Sequence, residues 1–179
     1  MTNTNDHYSP VAKTFHWVSA LCILAVLPLG WVLDKLPDGP LQSQLFDLHR
    51  SLGVLIPALG AMRLAARHIW GAPAPYSELT RFERISSIAV HHTLYLLLII
   101  TPLIGWAMMS AYRAEVPVFG LFNLMPILPE NRHVYEILSP IHHVLAYGMA
   151  VLILLHAGGG LAHHFIKRDG VLMRMWPRF

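Results

Sequence analysis

Twelve histidines among 179 residues are an unusual supply of imidazole, a group that ligates metals and titrates near neutral pH. Nine of them, His16, His49, His91, His92, His142, His143, His156, His163 and His164, lie inside or at the ends of long apolar runs. Polar groups are costly there and point to function. On an α-helix each residue advances about 100°, so His142 and His156, fourteen residues apart, differ by about 40° in direction and by ~21 Å in height. They face one interior at two depths. His16 opens the first apolar run and His49 the second, from opposite sides. Depth therefore matches His16 with His156, and His49 with His142.

One neutral imidazole on each axial face, supplied by facing helices, is what a bis-histidyl haem iron requires. The chain has no Cys-x-x-Cys-His, so each haem would be b-type, held without a covalent bond. Of each adjacent pair at most one histidine faces the core, and His142, His91 and His163 are the expected ones. His163 lies seven residues after His156, on the same face and suited to a small ligand beside the inner haem. His91 is open between a quinone-site or supporting residue, a plain interface residue and an axial ligand replacing His16 or His156. Arg63 lies within an apolar run and could pair haem propionates or a quinone head group. Lys167 and Arg168 could do the same, or merely mark the cytoplasmic side. Gly53, Gly105, Gly148 and the 158–160 glycines would let a helix or a porphyrin approach closely.

The elements that must position these groups follow from hydropathy. The chain is 55% hydrophobic and 13% charged, about half the charge of a soluble domain. Apolar runs cover 15–33, 52–64, 85–109 and 137–161. Three reach the ~20 residues that span a bilayer, and the second must recruit His49 and Arg50. No run alternates as a barrel strand would, so they are helices. The predicted fold is an all-α membrane protein, a four-helix transmembrane bundle enclosing two b-type haems. It forms one domain over 1–179, with helices about 12–34, 46–68, 82–111 and 136–167. No small-residue cleavage site follows the first run, so it is kept as a helix.

Cations set the orientation. With the N-terminus inside, nine fall on the inner side (Lys13, Arg63, Arg67, Arg81, Arg84, Lys167, Arg168, Arg174, Arg178) and four on the outer (Lys35, Arg50, Arg113, Arg132). Both termini are thus expected in the cytoplasm of a bacterial-type inner membrane. Trp17, Trp70 and Trp176 would mark the inner interface, Trp31 and Trp106 the outer. Gly71, Pro73 and Pro75 break the inner connection. The outer loop, 112–135, holds an apolar stretch too short to span and reads as an interfacial lid. Insertion accounts for the net charge of +3, which carries no nucleic-acid meaning. The lone Cys22 reads as packing.

Phe15-His16-Trp17, His49-Arg50-Ser51-Leu52-Gly53, Tyr95 before Thr101-Pro102-Leu103-Ile104-Gly105, the His142 to His156 spacing and Ala162-His163-His164-Phe165 before Lys167 together resemble the bacterial cytochrome b561 family over nearly the whole chain. The likeness is nearest to its superoxide-oxidising, ubiquinone-reducing type. It implies two haems b on His16 with His156 and His49 with His142, and Arg50 beside the outer one. It also implies a ubiquinone site near His91, His163 and Lys167, with superoxide as electron donor. Superoxide is an anion that positive potential would steer, yet the outer segments set four cations against six acids, Asp34, Asp38, Asp47, Glu115, Glu130 and Glu136. Local clustering of Arg50, Arg113 and Arg132 would be needed to supply a funnel. The alternatives are a haem-b membrane anchor with a redox partner subunit in a quinone-linked dehydrogenase or hydrogenase-type complex, and a histidine-lined metal transporter.

Overall fold

A computed structural model of the chain describes residues 7–74, 76 and 78–177; Pro75 and Arg178, used above, lie outside them. Four helices dominate: α1 (Pro10–Leu33), α2 (Pro40–Trp70), α3 (Arg81–Tyr112) and α4 (Arg132–Ala162). Each is long and apolar enough to cross a membrane. A two-stranded antiparallel hairpin, β1 (Val116–Val118) and β2 (Phe122–Leu124), interrupts the connection from α3 to α4. The chain ends in a π-helical turn (His163–Lys167) and a 3-10 turn (Leu172–Arg174).

The helix starts are set by side chains that satisfy orphan N–H groups. Ser9 accepts from the Ala12 N–H at 3.2 Å and Asn131 from Val134 at 3.1 Å, while Thr80 and Glu83 form a reciprocal capping box. Two starts precede the predicted ones by a turn or more. α2 begins at Pro40 rather than near 46, because proline at the first turn is already set for helical φ and the polar Gln42 to Asp47 stretch is helical without being apolar. α4 begins at Arg132 rather than near 136, at the Asn131 cap. Hydrophobicity marks where a helix enters lipid, not where its hydrogen bonding starts.

The stretch expected to form the outer lid folds as the hairpin. Its turn places Phe119 (φ 51°) and Gly120 (φ 72°) in the left-handed region, with the Leu121 N–H bonded to the Val118 carbonyl at 3.0 Å. Positive φ at both central residues matches the twist of the strands it joins. The hairpin packs on α2 through Ser51, which is 2% exposed. The Ser51 hydroxyl lies 3.0 Å from the Pro117 carbonyl and accepts from the Phe119 N–H at 2.9 Å.

The closest packing joins α1 to α2 and α3 to α4, with α2 also against α3. The termini meet at the end opposite the hairpin: the Tyr8 N–H bonds to the Arg174 carbonyl, and the Trp17 indole N–H to the Met175 carbonyl at 2.9 Å. The buried core, Ile23, Val26, Ile56, Leu97, Leu98 and Met149, lies between the two ends. Met149 is the sole fully buried residue of α4 among those described.

Candidate functional site

Every helix carries two marked positions fourteen residues apart: His16 and Gly30, His49 and Arg63, His91 and Gly105, His142 and His156. That spacing is nearly four turns, so each helix offers both to one side. Successive helices run in opposite directions, which sorts the eight into two levels. The level near the termini gathers His16, Arg63, His91 and His156. The level near the hairpin gathers Gly30, His49, Gly105 and His142. Seven residues from each level stand Ile23, Ile56, Leu98 and Met149, all in the buried core.

At the hairpin level two imidazoles are held alike. His49 of α2 leans on α1 with Nδ1 3.1 Å from the Val26 carbonyl, and His142 of α4 leans on α3 with Nδ1 3.1 Å from the Thr101 carbonyl. Each carbonyl lies four residues before a glycine, and a helical side chain covers the turn preceding its own Cα. A Cβ on Gly30 would stand 3.0 Å from His49 Cε1, and one on Gly105 3.0 Å from His142 Cε1. Glycine is what lets the rings reach the backbone. A carbonyl only accepts, so each ring donates its Nδ1–H and keeps the Nε2 lone pair for a metal. The two ring centres are 6.4 Å apart.

At the termini level His16 and His156 have ring centres 6.2 Å apart, but their support differs. Arg63 Nη2 lies 3.0 Å from His16 Nδ1; a guanidinium only donates, so this Nδ1 accepts. Arg63 also lies over the Tyr95 ring, 5.1 Å from its centre. The His91 ring is edge-on to His156 at 5.0 Å, with its Nδ1 2.6 Å from the Ser87 carbonyl.

Metal–imidazole bonds of about 2 Å on opposite faces of one ion, with each ring centre about 1.1 Å behind its nitrogen, set the centres roughly 6.3 Å apart. The separations of 6.2 and 6.4 Å would suit a haem iron between each pair, and at the hairpin level the free Nε2 lone pairs and the glycine cradles fit that iron as well. The 5.0 Å between His91 and His156 is too short to hold an iron, which sets His91 beside the pair. Among the described residues no three His, Cys, Asp or Glu side chains gather around a bare metal ion.

Beyond His156 the π-turn brings His163 and Lys167 to Glu83 of α3 and to Asp169. His163 Nδ1 is 2.6 Å from Asp169 Oδ2 and its Nε2 is 4.0 Å from Glu83 Oε1. Lys167 pairs with the same Glu83 oxygen. His164 faces away, lining with Leu161, Phe165, Leu172, Met173 and Trp176 an open cavity of about 330 Å³. His92 is exposed, and His143 stands 3.7 Å from Asp34 at the surface. Gly53, Gly148, Gly158 and Gly159 meet no side chain or neighbouring backbone within 4 Å of a would-be Cβ, and Gly160 faces Leu172.

The hairpin-end arginines are engaged in ion pairs. Arg50 bridges to Asp47 at 3.3 Å and to the Glu115 carbonyl, Arg113 to Glu130 at 3.0 Å and Arg132 to Glu136 at 2.8 Å. Each is matched by a carboxylate of its own. The sequence reading missed Gly30, Ser51, Glu83 and Asp169. The fourteen-residue offset repeated in all four helices would have found the first.

A four-helix membrane bundle with facing imidazoles at two depths is built to hold porphyrin iron within a bilayer. The family model for prokaryotic cytochrome b561 matches residues 7–178, and the chain belongs to that family. It is therefore a multi-pass membrane protein of b-type haem electron transfer. It is similar to cytochrome b561 homolog 2 of Escherichia coli K12, at 30% identity covering 97% of this chain and 93% of that one. It also resembles cytochrome b561 homolog 1 of the same strain, at 29% over 97% and 98%. A probable superoxide oxidase CybB of Yersinia pestis is 26% identical over 96% of each chain.

Proposed function

We propose that the whole chain acts as one cytochrome b domain holding two haems b, one between His16 and His156 and one between His49 and His142, and carries electrons from superoxide to ubiquinone. The two matched imidazole separations, at two levels of one bundle, are the observation that carries this reading. Bound haem b supplies one-electron redox chemistry; the chain supplies ligands, spacing and a proton-bearing end. Arg50, next to His49, and Arg63, next to His16, supply positive charge at the two sites. The cation balance puts both termini in the cytoplasm. Quinone reduction is then assigned to the termini end, where His91, His163 and Lys167 line the approach from the cytoplasm.

Superoxide as donor is supported by the likeness to the probable superoxide oxidase, and no attraction is asked of the paired arginines. The exposed apolar surface of the hairpin, with Leu121 at its tip 80% and Met125 just past β2 81% exposed, favours a second reading. In it a redox partner subunit docks there and the chain is a quinone-linked anchor.

Pyridine haemochrome assay of the detergent-purified protein is expected to give two haems b per chain. His142→Ala and His156→Ala should each lose a different one. Superoxide added to the oxidised protein should reduce it, and ubiquinone should reoxidise it. A single haem, or two that disappear together in either variant, would refute the pairing. Inertness toward superoxide, with reduction through a co-purifying subunit, would select the anchor.

A further inference from the structure

Four titratable side chains from three segments meet where α4 ends. His163 and Lys167 sit on the π-turn, Glu83 caps α3, and Asp169 follows Arg168, whose φ of 56° turns the chain back on itself. Asp169 is fixed from several sides. Its N–H bonds to the His163 carbonyl at 3.1 Å, its Oδ1 accepts from the Val171 N–H at 3.0 Å, and its Oδ2 faces His163 Nδ1 at 2.6 Å. The His163 and Asp169 side chains are only 14% and 11% exposed. Burial pushes the Asp169 carboxyl up, but the hydrogen bonds from His163 and from the Val171 N–H outweigh it and hold the group below its ordinary value.

A carboxylate on Nδ1 fixes both the orientation and the tautomer of a histidine. His163 Nε2 is then the working nitrogen, and it points at Glu83 Oε1, the same atom that Lys167 reaches. Two nitrogen donors thus converge on one oxygen position at the edge of the membrane. A π-turn displaces side chains from helical register and is frequent at functional sites; here it brings His163 and Lys167 to that point together.

We propose that Asp169 is the positioning residue that makes His163 the proton donor of the ubiquinone site, with Glu83 Oε1 marking the place a quinone oxygen takes beside His163 and Lys167. This rests on the quinone reading above. Ubiquinone accepts two electrons, one at a time from reduced haem b, and two protons. At the oxygen beside His163 an O–H bond forms as the Nε2–H bond of the imidazolium breaks, and the quinone's other oxygen takes its proton from water. The ring is left neutral, still donating Nδ1–H to Asp169, and regains its proton from water at the exposed side of Glu83 and Lys167.

The test is quinol formation by the pre-reduced, haem-loaded protein with a short-chain ubiquinone, in water and in deuterated water. Asp169→Asn should lower kcat about tenfold or more, leave KM within twofold and enlarge the solvent isotope effect. Haem content and haem reduction rate should stay at wild-type values. Asp169→Glu should restore most of the rate, and His163→Gln should match Asp169→Asn with no further loss in the double variant. A wild-type kcat in Asp169→Asn, or a change in KM alone with an unaltered isotope effect, overturns the proposal and leaves the quinone reading standing. A reduced wild type that never passes electrons to quinone overturns both.

Discussion

The two histidine levels have the same imidazole separation and opposite surroundings. At the hairpin level both rings hang from backbone carbonyls over glycines, and among the described residues no charged side chain hydrogen-bonds to either imidazole. At the termini level the pair shares its space with Arg63 and His91, and one ring accepts from a guanidinium. The first site is built by helix packing, so its geometry is stiff. The second is built by side chains and brings cation and exchangeable protons with it. An electron needs only the spacing. A reaction that joins electrons to protons needs the second kind of site, and the fold supplies it at one end.

The sharpest way to break that contrast is to fill a glycine. Gly105→Val or Gly30→Val puts branched carbon where even a Cβ reaches a ring at 3.0 Å, forcing the imidazole off its carbonyl. Replacing glycine by valine in a helix otherwise changes propensity by only a few tenths of a kcal/mol, in the favourable direction, so the bundle should keep its helicity. The expected result is loss of one haem per chain, the hairpin-level one, with the other spectrally intact. Redox-difference spectra with haem quantification check it, and equal loss at both levels would show the two are not independently built.

A smaller effect sharpens the electrostatic half of the comparison. Arg63→Met removes the cation beside His16 and keeps an apolar stem of similar length. A cation stabilises the reduced iron, so its loss should lower the termini-level midpoint and leave the other unmoved. An interaction of about 2 kcal/mol, the order given by an effective dielectric near 20, corresponds to roughly 80 mV for one electron. Potentiometric titration of the two haems reads this directly. Movement of both midpoints together would place Arg63's influence on the bundle and not on one level.

How much of this was legible in the residues differs between the two levels as well. His142 and His156 are legible because both ends of the spacing are histidine. Gly30 and Gly105 act by lacking a side chain, and nothing in a glycine's local sequence tells a ring cradle from ordinary helix packing. Glu83 is an ordinary helix-start residue, through its capping box with Thr80; only the fold adds Lys167. Asp169 lies beyond the apolar run, where hydropathy stops being informative. The lid's position was readable from its composition, but its hairpin form depends on Phe119 taking a positive φ that no propensity favours.

The least of these effects concerns how the lid is tied to the stiff level. Ser51 sits two residues after His49, and its hydroxyl both approaches the Pro117 carbonyl and accepts the Phe119 N–H. Ser51→Ala leaves that N–H without its partner, a cost of about 1–3 kcal/mol if it stays buried and less if water replaces the hydroxyl. α2 loses only the 2.7 Å bond from the Ser51 hydroxyl to the Asp47 carbonyl, and neither imidazole pair is touched, so haem content and midpoints should hold. Hydrogen exchange at the 116–124 amides should rise about fivefold or more, since each 1.4 kcal/mol is a factor of ten in the opening equilibrium. Exchange confined to the hairpin would make the lid a separate unit resting on a rigid site. Exchange spreading into α2 around His49 would make it part of what holds that ring in place.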